Sequence, residues 1–125
     1  MSEGDYREMA ADVADDIDED GAPVILERTL SSEYESGSSE VTSVQRKVEG
    51  RAVRDEYALR DIDGDSIRFG DCKLLVSTRA ADNSAMPEPK TDERMLFDGG
   101  WWTVVRCAPI KPATVAVAYQ VQVRR

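Results

Sequence analysis

The chain has 125 residues, of which 41% are apolar and 33% charged, and its formal net charge is −9; this length and balance are typical of one globular domain. It contains no histidine, which excludes Ser-His-Asp and Cys-His catalysis, zinc sites with imidazole ligands and imidazole pH switches. No apolar run approaches the roughly 18 residues of a membrane helix and no signal pattern is visible, so we expect neither a membrane span nor secretion.

The negative charge is concentrated at the start of the chain. Residues 1–20 hold nine acids and one base, a charge of −8, and the other 105 residues carry −1. Because a phosphate-binding surface normally has the opposite sign, this balance disfavours tight DNA binding. The acidic segment is either a solvated helix or tail that keeps the chain soluble, or a segment that docks on a basic partner or lies near nucleic acid without gripping it.

An apolar stripe predicts an N-terminal helix over residues 3–17. Its members recur at spacings of three and four: Tyr6, Met9, Ala10, Val13 and Ile17. The acids at 15–20 oppose the helix dipole and are expected to fray its C-terminal end. The sequence DGAP at 20–23 then breaks the element. We therefore divide the chain into an acidic helix and linker, 1–22, and a β domain, 23–125.

From residue 23 the apolar period becomes two, which predicts strands. They cover 24–30, 41–53, 67–69, 72–78, 95–97, 101–107 and 115–123. We expect a bulge or bend at Gly50, an irregular stretch with a short helical turn within 54–65, and a bend marked by Pro109 and Pro112. The Asp98-Gly99 step between two apolar runs is a strong hairpin signal.

Two long polar loops, 31–40 and 79–93, interrupt these strands. One helix followed by about six antiparallel strands and two long loops predicts a mainly β fold, a small β-barrel.

The sequence DIDGD at 61–65 resembles the opening of a calcium loop. The sixth position is Ser66 where glycine is needed, and the twelfth is Cys72 where a glutamate should close the site. We therefore interpret the segment as a turn before a strand and predict no metal site.

Three carboxylates, Asp63, Glu88 and Asp98, are candidates for an acid and base pair in glycoside hydrolysis. Nothing in their spacing brings any two together, and acids make up a fifth of the chain. No nucleophile motif or phosphate-binding glycine loop is present either. We predict no catalytic residue and no cofactor, and that the chain is not an enzyme.

Two pairs of residues leave alternatives open. Cys72 and Cys107 are expected to be buried free thiols, although a disulfide would be possible if their strands were neighbours. Trp101 and Trp102 should point to opposite faces of one strand, with one of them in the core. The other is covered by the N-terminal helix or exposed at a partner surface; stacking on nucleic acid is a third option that the acidic balance disfavours.

In the order of its features the chain resembles the head-closure (stopper, or head–tail joining) proteins from the neck of tailed bacteriophages and prophages. The resemblance includes the acidic N-terminal helix and the segments 24–28, 34–37, 62–67, 69–76, 97–105, 109–112 and 119–125. These motifs are structural, not catalytic. The chain departs from the pattern at 90–93, where KTDE stands in place of an expected Pro-Gly-Asp.

The resemblance implies a homo-oligomeric ring in the virion neck, assembled in the host bacterial cytoplasm, between the portal or adaptor and the tail terminator or tail tube. Such a ring seals the filled head, docks the tail and lets DNA pass without specific binding. It also implies that an inter-strand loop enters the channel. We prefer 31–40 to 79–93 for this role and name these candidate residues: Glu33, Tyr34, Glu35, Ser36, Gly37, Ser38 and Glu40.

An ordinary solvated loop is the alternative for 31–40. The candidate partner-docking residues are Tyr6, Met9, Val13 and Trp101. For the whole chain the alternatives are a tail terminator, expected to pack helices on a sheet, a small cellular β-barrel adaptor or peptide-binding module, and an enzyme.

Overall fold

The described residues form a closed antiparallel β-barrel preceded by a helix. The computed structural model describes residues 3–31 and 43–125, with the side chains of 5–29 and 45–125. In chain order the elements are α1 (Glu3–Asp20), β1 (Ala22–Ser31), β2 (Ser43–Glu56), a 3₁₀ turn (Leu59–Asp61), β3 (Cys72–Ser77), β4 (Arg94–Phe97), β5 (Gly100–Ile110) and β6 (Ala118–Arg124). The strand order is β1-β2-β3-β6-β5-β4, and β4 pairs with β1 to close the barrel. The predicted mainly β barrel with an N-terminal helix is confirmed.

Alternate side chains of the strands fill the barrel, as the two-residue period of a strand requires. The core comprises Val24, Leu26, Ala52, Cys72, Leu74, Val76, Ala80, Met86, Met95, Phe97, Trp102, Val104, Val121 and Val123. Met86 belongs to the connection between β3 and β4, so this loop, like the strands, contributes a side chain to the core.

The β4–β5 hairpin turns on two residues. Phe97 pairs with Gly100, and the intervening Asp98 and Gly99 have φ angles of 53° and 74°. Two consecutive positive φ angles give the turn a twist that matches the strands, and Asp-Gly adopts them at low cost. The hairpin predicted from this dipeptide is confirmed.

The prediction of a bulge or bend at Gly50 is wrong. β1 and β2 pair without interruption from Ala22↔Ala52 to Ser31↔Ser43. Glycine is accommodated here for a packing reason, since a Cβ at position 50 would lie 3.1 Å from Met86 Sδ. The irregularity in pairing occurs instead in β5, between Val104 and Arg106.

Two other strand boundaries differ from prediction. Residues 67–69 are not a strand, because side-chain carboxylates accept the backbone N–H bonds of Ile67 and Arg68. β6 begins at Ala118 and not at 115, since its partner β5 ends at Ile110, opposite Ala118. Of the two prolines expected to mark a bend, Pro109 lies within β5, whereas Pro112 begins the bend at 112–115.

The helix α1 continues three residues beyond the predicted end. The end that was expected to fray is helical to Asp20. Arg79 Nη2 lies there, 2.7 Å from Asp15 Oδ1 and 2.6 Å from Asp18 Oδ2, and this cation offsets the clustered acids. Ala14 and Ile17 are buried, and the helix packs on β2, β3 and β6. No helix in the described part of the chain is long and apolar enough to cross a membrane.

Candidate functional site

The connection between β2 and β3, residues 57–71, carries two large apolar side chains that point into solvent. Leu59 is 75% exposed and Phe69 78%. Fixed, exposed apolar side chains of this size are typical of contact surfaces. We call residues 57–71 the Phe69 loop.

Local hydrogen bonds give the Phe69 loop its shape. The Asp63 carboxylate accepts bonds from the Ser66 hydroxyl and from the backbone N–H groups of Ile67 and Asp65. These bonds, that of Ser66 first, hold the pKa of Asp63 well below its ordinary value. Because the carboxylate is used by its own loop, the interpretation of DIDGD as a turn is supported.

Asp71 anchors the Phe69 loop to the barrel. Its side chain is buried and accepts hydrogen bonds from Arg124 Nε (2.9 Å) and Nη2 (2.8 Å), from Gln122 Nε2 (3.0 Å) and from Arg68 N (2.9 Å). The Arg124 hydrogen bonds outweigh the effect of burial and lower the pKa of Asp71 to about 2.

Gln122 extends this anchor across the sheet. It is only 2% exposed, although it points away from the core. Its Nε2 donates to Ser66 O at 2.7 Å as well as to Asp71, and its Oε1 accepts a bond from Arg106 Nε at 2.9 Å. The amide nitrogen is thus bonded to the Phe69 loop and the amide oxygen to β5. These bonds hold the loop on the outer surface of β6.

A second apolar feature lies on the outer surface of β1, β4 and β5. Ile25 pairs with Leu96, and Leu96 pairs with Trp101. Their strand neighbours face the core, so these three side chains form a row on the outside, and Trp101 is 39% exposed. We call this row the Trp101 face.

A groove of about 380 Å³ adjoins the Trp101 face and includes Pro23, Ile25 and Leu96. The exposed carboxylates of Glu49 and Asp98 also line it. The result is an apolar depression with an acidic rim.

The indole of Trp101 is held from one side. The Arg94 guanidinium lies 4.4 Å from the centre of the ring, and Arg94 Nη2 lies 2.8 Å from the buried Glu27 Oε1. This chain of contacts fixes the ring while leaving part of it in solvent.

The Phe69 loop and the groove beside the Trp101 face are carried by different strands. In the order β1-β2-β3-β6-β5-β4, β5 separates β6 from β4 on one side, and β2 and β3 separate β1 from β6 on the other. The Phe69 loop is anchored on β6, and the groove lies on β1 and β4.

The structure separates the predicted partner-docking residues. Trp101 is exposed while Trp102 is in the core, which confirms the opposite faces and, of the two alternatives for the outward ring, favours exposure. Tyr6, Met9 and Val13 are half-buried on α1, which packs on β2, β3 and β6. The predicted site residues therefore do not form one patch.

The candidate channel residues lie outside the described residues: Glu33, Tyr34, Glu35, Ser36, Gly37, Ser38 and Glu40. The other long loop, 79–93, is described and is tied to the barrel. Met86 is buried in the core, and Arg28 Nη2 donates to Glu88 O at 2.9 Å and to Glu93 Oε1 at 3.1 Å.

Both cysteines are free, as expected; Cys72 is buried, whereas Cys107 is only half-buried. Burial raises the pKa of the Cys107 thiol to about 12 and raises that of Cys72 as well. Among the described side chains no three His, Cys, Asp or Glu residues are grouped as metal ligands would be.

The sequence interpretation missed the Phe69 loop as a surface, because it assigned Phe69 to a strand. The available signal was the pattern of Asp63 with Ser66 and of Gly70 with Asp71, which favours local turns over a strand. No protein-family model matches this chain, and no curated protein matches it.

Proposed function

We propose that the chain is a structural neck protein of a tailed bacteriophage or prophage. Its copies form a ring between the portal or adaptor and the tail, close the DNA-filled head and provide the docking face for the tail terminator or tail tube. DNA passes through the lumen without specific binding.

The observation that carries this proposal is the exposure of Leu59 and Phe69 on a loop that Asp71 fixes to the barrel. An enzyme's site brings a few polar groups together in a concave pocket, whereas the interfaces of an assembly are enriched in aromatic side chains at their centre. The buried carboxylates Glu27 and Asp71 are paired with arginines, so they serve the fold. This favours an assembly role over the enzyme alternative.

The form of the fold favours head closure over tail termination. A terminator is expected to pack helices on a sheet, whereas the described residues form a closed barrel with the single helix α1.

The channel-loop part of the proposal rests on the sequence alone. Residues 31–40 are rich in serine and contain Glu33, Glu35 and Glu40, a composition that lets DNA pass without sticking. Shortening 31–40 to an Asn-Gly turn should leave the barrel folded and let filled heads leak DNA. Heads that stay full and infectious would contradict the plug assignment.

The test of the main proposal is a cryo-EM reconstruction of the phage particle or lysate fraction that contains the chain. We expect a ring of barrels on the portal axis. A chain that remains a monomer and never joins a capsid or tail would remove the neck function and favour the cellular adaptor alternative.

A further inference from the structure

We propose that copies of this chain associate head to tail, with Phe69 of one copy seated in the groove between Pro23, Ile25 and Leu96 of the next. This inference deepens the proposed neck function, on which it rests, by naming the two surfaces through which neighbouring subunits would meet.

The two surfaces complement each other in shape and polarity. Phe69 is a single large ring held outside the barrel, 78% exposed. The groove has about 380 Å³ of space and an apolar floor, which is enough for an aromatic side chain. Seating the ring would remove apolar surface from water on both partners, and a central aromatic anchor in a pocket is typical of the residues that dominate an interface.

The charges beside the two surfaces have opposite signs. Arg68 precedes Phe69 and is exposed, and it forms no side-chain ion pair with any residue in the described ranges. Glu49 and Asp98 line the groove and are exposed too. Asp98 lies 3.7 Å from Arg54 of its own chain, so Glu49 is the carboxylate that we assign to Arg68 of the neighbouring copy. Such pairing orients partners and rejects wrong ones.

The position of the surfaces fixes the kind of association. They are distinct surfaces carried by different strands, so a copy that uses its Phe69 on one neighbour leaves its own groove open for another. This contact is heterologous, and it closes into a ring when the rotation between neighbours closes, or otherwise continues as a filament. The alternative of adding strand to strand is disfavoured, because the six described strands close into a barrel and none of them is an edge strand along its whole length.

A mixing experiment with the full chain tests the inference. Phe69→Asp removes the anchor and keeps the groove; Leu96→Arg blocks the groove and keeps the anchor. In sedimentation velocity over a concentration series, we expect each variant alone to associate at least ~10-fold more weakly than the wild type. A mixture of the two should form a dimer and no larger species, since it contains one intact contact.

Ile110→Asp is the matched control, because Ile110 is an exposed apolar residue, at 38%, outside both surfaces; it should associate as the wild type does. Thermal melting of every variant separates lost association from lost folding. If Leu96→Arg does not fold, Glu49→Arg replaces it.

A charge exchange gives a second measurement. Arg68→Glu and Glu49→Arg should each weaken association several-fold, and the chain carrying both substitutions should regain it, because each contact would again join opposite charges. Failure of the double variant to recover would contradict the assigned pair and overturn the orientation proposed here.

Three outcomes overturn the inference: a wild type that stays monomeric at every concentration, Phe69→Asp associating as the wild type does, or association only when a portal or adaptor is added. The proposed function fails separately. If the chain forms head-to-tail oligomers but never occurs on particles, this contact stands and the neck function is removed. If the chain forms a neck ring in which Phe69 lies away from the neighbouring groove, the neck function stands and this contact is removed.

Discussion

Asp71 and Arg124 form a two-point ion pair that fastens the Phe69 loop to the last strand of the barrel. The two nitrogens of Arg124 lie 2.9 and 2.8 Å from the two oxygens of Asp71, which has no exposed side-chain surface. Since the partners are 53 positions apart, the place of the loop depends on the completed barrel and not on the loop's own sequence.

Asp71→Asn should destabilise the protein by about 2 to 4 kcal/mol, because it removes the charge that compensates Arg124 and weakens the bonds from Gln122 and Arg68. Urea denaturation measures the change. The control is Asp61→Asn, an exposed acid of the same loop, which should lie within about 0.5 kcal/mol of the wild type. Equal effects of the two substitutions would show that the ion pair does not anchor the loop.

The same ion pair predicts that the free energy of unfolding decreases at acidic pH. The pKa of Asp71 is lowered to about 2 in the folded chain, below the value of an unfolded aspartate, so the unfolded state binds more protons between the two values. The stabilisation, about 2 kcal/mol, is present above the unfolded pKa and is lost as the pH falls from about 5 through 2. Denaturation of wild type and Asp71→Asn over this range should show a steeper loss for the wild type; parallel curves would contradict the assignment.

The contact of Arg79 with Asp15 and Asp18 should stabilise the end of α1. Asp18→Asn is expected to cost about 1 kcal/mol and to speed amide hydrogen exchange in the last turn, since Arg79 loses one of its two partners. Asp16→Asn, which changes an exposed acid on the same helix, is the control and should slightly stabilise the acidic end. The difference should shrink in high salt because the pair is partly exposed.

Gly50 and Met86 should be energetically coupled. Gly50→Val places methyl groups where Met86 Sδ is already 3.1 Å from a Cβ position, so we expect a loss of about 1 to 3 kcal/mol. Met86→Ala alone leaves a cavity and should cost about 2 to 5 kcal/mol. The double variant should be more stable than the sum predicts by about 1 kcal/mol or more. Additive losses would mean that the methionine is not what restricts position 50.

The parts of the fold that follow from local sequence were predictable. The Asp98-Gly99 turn follows from which residues accept positive φ, and the opposite faces of Trp101 and Trp102 follow from the two-residue period of a strand. A barrel was consistent with the pattern because alternate apolar side chains, such as Leu74 and Val76 of β3, can share one core.

The parts that depend on distant contacts were not predictable in the same way. Gln122 alternates as an outward polar residue, yet it is buried, because a loop more than fifty positions earlier covers it. Arg79 gives no sign in the sequence that it will offset the acids of α1. Phenylalanine is a residue type common in strands. The strand is excluded only because the carboxylates of Asp63 and Asp71 accept hydrogen bonds from the backbone N–H groups of Ile67 and Arg68. The candidate site was missed for that reason.

The shortness of β4 has a mechanical consequence. Four residue pairs, Val24↔Phe97 to Glu27↔Arg94, join β4 to β1, and four more join it to β5, against ten between β1 and β2, so β4 is held on both sides by far fewer bonds than join β1 to β2. A neighbour whose side chain rests on Ile25 and Leu96 would contact both β1 and β4 from outside and would reinforce their pairing. In the proposed ring, each subunit would then be reinforced by the copy beside it at one of the two shortest strand pairings of its wall.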